Sequence, residues 1–196
     1  MTFSVILIVA IIGVLVYLIS TYNLLASLKT RIGASIQEIG NQLKRQIELI
    51  PNLEESAKAY LKHEKDLFKL LTDARKSVAS AVESGDITAM SQATDKVAQL
   101  LPKLQVVVES NPQIKGAEVI TRLMDELRDT SDKVMYSRRT LIDLTADYNI
   151  KLVTFPSNFV AQLFGFKTEA GLSTPVSGDH LQVKPEETST PRVKLS

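Results

Sequence analysis

The sequence contains no cysteine and no tryptophan, and only two of its 196 residues are histidine. Without cysteine the chain cannot form a disulfide, a thiolate metal site or a thiol nucleophile. The lack of cysteine does not indicate an oxidising or a reducing compartment, because a cysteine-free chain suits either side of a membrane. Glycine is scarce, at eight residues, which is typical of a helix-rich chain.

An excess of charge of either sign is also missing. Lysine and arginine total 23, aspartate and glutamate total 22, and the net charge is +1. A nucleic-acid-binding surface needs a basic patch or stripe, and no such stripe stands out. We therefore predict no nucleic-acid partner.

The first 28 residues carry no charged side chain at all. Residues 2–22 are mostly apolar and match the roughly 20 residues that a membrane-spanning helix needs. A cleaved signal peptide would need a basic start and a small-residue cleavage site, and neither is found. We predict a retained transmembrane anchor over 1–22, with the lipid bilayer as the first partner. Lys29 and Arg31 follow the span, so the positive-inside rule favours a single-pass protein of the cell (inner) membrane with its N-terminus outside and its body in the cytoplasm.

Apolar residues three and four apart predict helices along the rest of the chain. The predicted series are Leu25–Ile50, Leu53–Ala81, Met90–Val107 and Ile120–Leu152. Gly85 should end the second helix in a left-handed conformation. The predicted fold is all-α: the N-terminal transmembrane helix continues into an elongated antiparallel four-helix up-down bundle over residues 23–154.

Pro51 decides where the first helix ends. Asn52 and Glu55 resemble a capping box, which favours a new helix, whereas the apolar phase runs on smoothly from Ile50 to Leu53. A turn at Pro51 gives four segments of similar length, the usual arrangement of an up-down bundle. We favour that turn; the alternative is a long helix, kinked at Pro51, in an extended hairpin.

The C-terminal part changes composition twice. Residues 155–166 are rich in phenylalanine, and this membrane-proximal segment either caps the bundle or lies in the membrane interface. From Lys167 the chain is rich in serine, threonine, proline and charge. Such a composition buries too little apolar area to order itself, so we predict a disordered tail over 167–196.

The dipeptide Tyr-Asn occurs at Tyr22-Asn23 and again at Tyr148-Asn149. In the predicted bundle, the first helix leaves the membrane at the first pair, and the last helix returns to a similar level at the second. One hypothesis is a polar clasp in which the amides of Asn23 and Asn149 bind each other. The other is coincidence of a common dipeptide.

Several short motifs resemble the LemA family. They are "LIPNL" (49–53), "AKAYLKHE" (57–64), "DAR" (73–75), "DYN" (147–149) and "FP" (155–156). The resemblance covers roughly residues 3–166, and its strength comes from the order and spacing of the motifs. It implies a membrane-anchored helical bundle of bacterial type and no established enzymatic reaction.

No catalytic, cofactor-binding or metal-binding residue is predicted. His63 lacks the second histidine of a zinc-protease motif, and Tyr60 stands where a carboxylate-bridged metal bundle needs glutamate. His180 lies in the predicted tail. Glu64 occupies a core-type heptad position; it either reaches water along the bundle surface or pairs in the core with an arginine such as Arg138. We therefore predict that the protein is not an enzyme and needs no cofactor.

The remaining function is binding. We predict a membrane-anchored scaffold or adaptor for other membrane proteins. The alternatives are a transmembrane signalling bundle and an oligomeric structural bundle whose partners are copies of the same chain.

Overall fold

The computed structural model describes residues 2–58, 65–110 and 118–172. Within these ranges the regular elements are α-helices: α1 Thr2–Ala57, α2 Lys65–Ser84, α3 Ile87–Ser110, α4 Glu118–Val153 and α5 Ser157–Leu163. The predicted all-α class, with one long apolar helix at the N-terminus, is confirmed. The predicted tail beyond Leu172 lies outside the described residues.

Helix α1 continues through Pro51 to Ala57, so the turn predicted at Pro51 is wrong. The proline removes the hydrogen bond to the carbonyl of Ile47 and costs about 3 kcal/mol. Ile50 and Leu53 flank it and are 0% and 1% exposed. Full burial of such side chains contributes about 1.5–3 kcal/mol each, so packing on both sides of the proline outweighs the lost bond.

The helices are consequently unequal in length. Helix α1 has 56 residues and α4 has 36, whereas α2 has 20 and α3 has 24. Near-equal segments were the argument for a turn at Pro51, and they are not what the structure shows. The chain instead forms one long pair, α1 and α4, with the shorter α2 and α3 packed against it.

Helices α1 and α4 run antiparallel along each other. The Ser35 hydroxyl donates to the carbonyl oxygen of Ser137 at 2.8 Å, and the Gln46 side-chain amide donates to the Thr130 hydroxyl at 3.2 Å. Residue numbers rise along α1 as they fall along α4. This pairing fixes the level of every residue on one helix against the other.

Helices α2 and α3 are joined by a tight turn at Gly85. The φ angle of Gly85 is +63°, and its amide donates to the carbonyl oxygen of Ala81 at 3.1 Å. This confirms the left-handed helix stop predicted there. The Asp86 carboxylate then accepts from the amide of Ala89 at 2.7 Å and caps the start of α3.

The four long helices share one apolar core. Its completely buried members include Leu43 on α1, Leu71 on α2, Leu100 on α3 and Leu127 on α4. Every long helix contributes side chains to this cluster. The body helices are therefore stabilised mainly by packing against one another rather than by intrinsic helix propensity. The periodic apolar positions in the sequence correspond to this core.

Helix α5 packs across the end of the α1–α4 pair, with Val160 and Ala161 buried. It follows α4 after a short link in which the Ser157 hydroxyl lies 2.7 Å and 2.9 Å from the carbonyl oxygens of Lys151 and Thr154. This serine satisfies main-chain carbonyls that the end of α4 leaves free. The link therefore holds α5 at the same end as the apolar part of α1.

Candidate functional site

The residues considered for chemistry do not form a reactive cluster in the described part of the chain. Within residues 2–58, 65–110 and 118–172, no group of three histidine, aspartate or glutamate side chains is arranged to hold a metal ion. His63, Glu64 and His180 lie outside the described residues. Arg138, considered as a partner of Glu64, binds the Asp95 carboxylate at 2.7 Å and the Ser91 hydroxyl at 2.8 Å.

The first part of α1 is an uncovered apolar surface. Every residue from Thr2 to Tyr17 is exposed, and this stretch is long and apolar enough to span a membrane by length and composition. Contiguous apolar patches of this size are rare on soluble monomers and mark contact with a membrane or another protein. The helix continues from here into the body without interruption.

A second feature lies where the apolar stretch meets the body. Residues 164–172, here called the return segment, leave α5 and run back along α4. Gly165 has φ +69°, the Phe166 amide donates to the Ala161 carbonyl at 2.9 Å, and the Gly165 amide donates to that of Gln162 at 3.2 Å. This pair of bonds is a Schellman motif, which ends a helix and reverses the chain.

Tyr22 contacts the first part of the return segment. Its ring centroid lies 4.9 Å from that of Phe164 in an edge-on arrangement and 5.5 Å from that of Phe166. Each such aromatic pair is worth about 0.5–1.5 kcal/mol beyond area burial. Tyr22 therefore joins the end of the apolar stretch to the return segment.

Tyr148 and Asn149 bind the next part of the return segment. The Asn149 amide donates to the carbonyl oxygen of Glu169 at 2.9 Å and accepts from its main-chain N–H at 3.1 Å, while the Tyr148 hydroxyl donates to the carbonyl oxygen of Lys167 at 3.0 Å. The Asn23 side chain is exposed. The predicted clasp between Asn23 and Asn149 is therefore wrong, because the Asn149 amide is bound to Glu169 instead.

One ion pair also joins α1 to the return segment, near the place where the apolar stretch meets the body. The Lys29 ammonium lies 3.0 Å from the Glu169 carboxylate, and this hydrogen bond and charge raise the pKa of Lys29 above its usual 10.5. Burial raises the pKa of Tyr148 above its usual 10.0, although the nearby Lys29 charge acts against it. Both shifts favour the protonated form of their group in the folded chain.

The last described residues also lie close to α4. A Cβ atom added to Gly171 would meet the Cγ2 methyl of Thr145 at 3.2 Å. Residues 167–172 were assigned to the tail on composition, yet they contact α4, so the packed chain extends at least to Leu172. The sequence gives little signal for this contact, because most of its hydrogen bonds use main-chain atoms of the return segment.

Sequence reasoning also missed a polar contact inside the body. Gln46 and Thr130 are both 0% exposed, and their side chains bind each other between α1 and α4. Gln46 sits among the buried apolar positions of α1, between Leu43 and Ile50. A polar residue on an otherwise apolar face was the available signal.

At the far end of α2 and α3 there is a groove of about 390 Å³. Its lining is largely apolar and includes Leu67, Leu70 and Pro102, with Val106 64% exposed. The groove contains one carboxylate and one ammonium, Asp66 and Lys103, and no nucleophile paired with a base.

Comparison with known proteins gives the family. A family model described as "LemA family" matches residues 35–185. The chain is also similar to the magnetosome protein MamQ of Magnetospirillum gryphiswaldense, 26% identical over 86 residues, which is 44% of this chain and 32% of that protein. Magnetosome proteins MamQ 1 and MamQ 2 of Paramagnetospirillum magneticum are 27% identical over 86 residues, with the same coverage. The chain thus spans about a third of the length of these curated relatives. Because the family model covers well over half of the chain, the protein belongs to the LemA family.

Proposed function

We propose that this protein is a membrane-anchored helical scaffold or adaptor for other membrane proteins, without catalytic activity of its own. The observation that carries the proposal is the uncovered apolar stretch, exposed from Thr2 to Tyr17, which continues without a break into a polar helical body. Such a helix is stable when lipid covers it. The relatives are named magnetosome proteins, after a cellular structure rather than a reaction, which supports a non-catalytic role.

The proposed arrangement is a single-pass protein of the inner cell membrane, with its N-terminus outside and its body in the cytoplasm. Lys29 and Arg31 directly follow the apolar stretch, and basic residues at that position favour the cytoplasmic side. The body, over residues 23–154, is proposed to act as one antiparallel four-helix bundle. The antiparallel pairing of α1 with α4 and the core shared by the four long helices support this view.

A second candidate function is transmembrane signalling. The continuity of α1 favours it, because one unbroken helix from Thr2 to Ala57 would carry a displacement in the membrane directly into the body. An oligomeric structural bundle is the third candidate. The scaffold and the oligomeric bundle differ in their neighbours in a native membrane: the body of a scaffold contacts other membrane proteins, and that of an oligomeric bundle contacts copies of the same chain.

Photo-cross-linking of the full chain in native membranes tests the proposal. A photoreactive residue is placed at Val106, in the α2–α3 groove, and a matched one at Lys69, an exposed polar position on the same helices. Discrete adducts with another membrane protein are the expected result. Adducts only between copies of this chain would favour the oligomeric bundle, and the lack of any adduct along the body would contradict the scaffold.

A further inference from the structure

Helix α5 has an apolar face that nothing in the described chain covers. Phe155, just before the helix, Phe159 and Leu163 are spaced four residues apart and are 75%, 62% and 69% exposed. The rings of Phe155 and Phe159 contact each other with centroids 5.9 Å apart. The opposite face, with Val160 and Ala161, is the one that packs on the body. The exposed phenylalanines therefore do not cap the bundle core.

The residue directly after α5, Phe164, shows where this helix lies relative to the apolar stretch. Phe164 lines a groove of about 320 Å³ together with Leu15, Leu18, Ile19 and Tyr22. Those leucine and isoleucine side chains belong to the final turns of the apolar stretch. The end of α5 thus lies at the level where α1 enters the membrane.

Charge is absent near this level on two segments of the chain. No charged residue occurs before Lys29 on α1, and none occurs between Lys151 and Lys167. Lys29 pairs with Glu169 at 3.0 Å, so the charged end of the return segment is level with the first charge of α1. Extending the Ser35–Ser137 pairing along α4 places Lys151 about level with Thr21. The charges on these segments therefore end between the levels of Thr21 and Lys29, about 12 Å apart at 1.5 Å per residue. None of them lies further toward the apolar stretch, as a boundary between water and lipid requires.

We propose that α5 lies in the interface of the lipid bilayer, with Phe155, Phe159 and Leu163 inserted at the boundary between headgroups and acyl chains. This contact is additional to the spanning helix and rests on the proposed function only in that α1 crosses the same bilayer. An interfacial helix buries its apolar face about 5–10 Å deep. Two separate contacts, at α1 and at α5, would fix the height and the tilt of the body above the membrane, which a single helix cannot do.

The lack of cysteine makes the depth of α5 directly measurable. An environment-sensitive fluorophore is attached to a single cysteine in the full chain, reconstituted in phosphatidylcholine vesicles with a minority of phosphatidylglycerol, with and without brominated acyl chains. The test position is F159C. The reference is V9C, inside the apolar stretch, and the control is Y136C, which is 74% exposed on α4 and about 20 Å from the level of Tyr22 at 1.5 Å per residue. Unchanged helix content by circular dichroism establishes that each labelled chain is folded.

The expected result is blue-shifted emission and a loss of about half the intensity with brominated lipid at positions 9 and 159, and neither change at 136. Quenching at 9 without quenching at 159 would overturn the interfacial helix and leave the membrane anchor intact. Blue-shifted emission at 159 without quenching would also overturn it, because the face would then be covered by protein. Absence of quenching at position 9 would instead contradict the membrane anchor of the proposed function.

Discussion

Asn149 and Glu169 form a reciprocal pair in which one side-chain amide binds both the N–H and the carbonyl of one main-chain residue, at 3.1 Å and 2.9 Å. The asparagine thereby satisfies main-chain groups of the return segment as a neighbouring strand would. Tyr148 adds a third bond to the same segment at Lys167. Both Tyr-Asn dipeptides of the chain thus contact the return segment, Tyr22 through its ring and Tyr148-Asn149 through hydrogen bonds.

Replacing Asn149 by leucine should release the return segment. Two hydrogen bonds disappear, and we expect a loss of stability of about 1–3 kcal/mol, together with faster protease cleavage near Lys167. Thermal unfolding in detergent and limited proteolysis measure the two effects. The matched control is Asn23→Leu at the other dipeptide, where the side chain is exposed and the change should stay within about 0.5 kcal/mol. Equal effects at both asparagines would contradict this assignment.

The contacts of Lys29 and Tyr148 with the return segment should weaken in alkali. Lys29 and Tyr148 have pKa values raised above 10.5 and 10.0, so each binds its proton more tightly in the folded chain. Their contribution to stability is fully present below pH 10.0 and decreases as the pH rises through the raised pKa values. A phenolate absorbance titration should show a late ionisation step that belongs to Tyr148. That late step should be missing in Tyr148→Phe; an unchanged curve in this variant would show that another tyrosine is responsible.

The buried pair between α1 and α4 should behave non-additively. Thr130→Val leaves the amide N–H of the fully buried Gln46 without its acceptor, and we expect a cost of about 1–3 kcal/mol. Adding Gln46→Leu removes the stranded group, so the double variant should recover most of that loss. Thermal unfolding of the wild type, both single variants and the double variant gives the coupling free energy. A double variant as unstable as the sum of the singles would show that the contact contributes nothing specific.

Replacing Gly171 by alanine should disturb the packing of the return segment on α4. The added Cβ would lie 3.2 Å from the buried Thr145 side chain, so the return segment has to shift away from α4. We expect faster proteolysis near Lys167 without loss of helix content. Gly33→Ala is the control: it lies in α1 with no atom within 4 Å of the added Cβ, and it should stabilise the helix by about 0.5–1 kcal/mol. If Gly171→Ala left proteolysis unchanged, the segment would be held more loosely than the contact indicates.

Membrane attachment that resists alkaline carbonate should depend on the apolar part of α1. Ile12→Asp places a charge near the middle of the span at a cost of about 2.5–3.5 kcal/mol, and a second change, Leu15→Asp, should make the protein extractable by alkaline carbonate. Met135→Asp, on an exposed site of the body, should leave the protein in the membrane pellet. Retention of the doubly charged variant would mean that the attachment lies elsewhere.

The sequence by itself determined the helices and the apolar stretch, because both depend on local regularities. Apolar residues at steps of three and four placed the core positions, from Leu25 to Leu152, and Gly85 marked a helix end through its own conformational freedom. The charge-free start predicted a helix able to span a membrane from composition alone. These features need no knowledge of which segments meet.

The tertiary structure decided what depends on partners distant in sequence. At Pro51 a helix and a turn were both compatible with the local pattern, and burial of Ile50 and Leu53 against other helices decided for the helix. The partner of Asn149 proved to be the main chain of Glu169, and main-chain atoms are the same in every residue, so the sequence carries no mark of that contact. Hydrophobic periodicity shows which residues are buried, whereas hydrogen bonds to main-chain atoms are settled only when the folded chain brings two segments together.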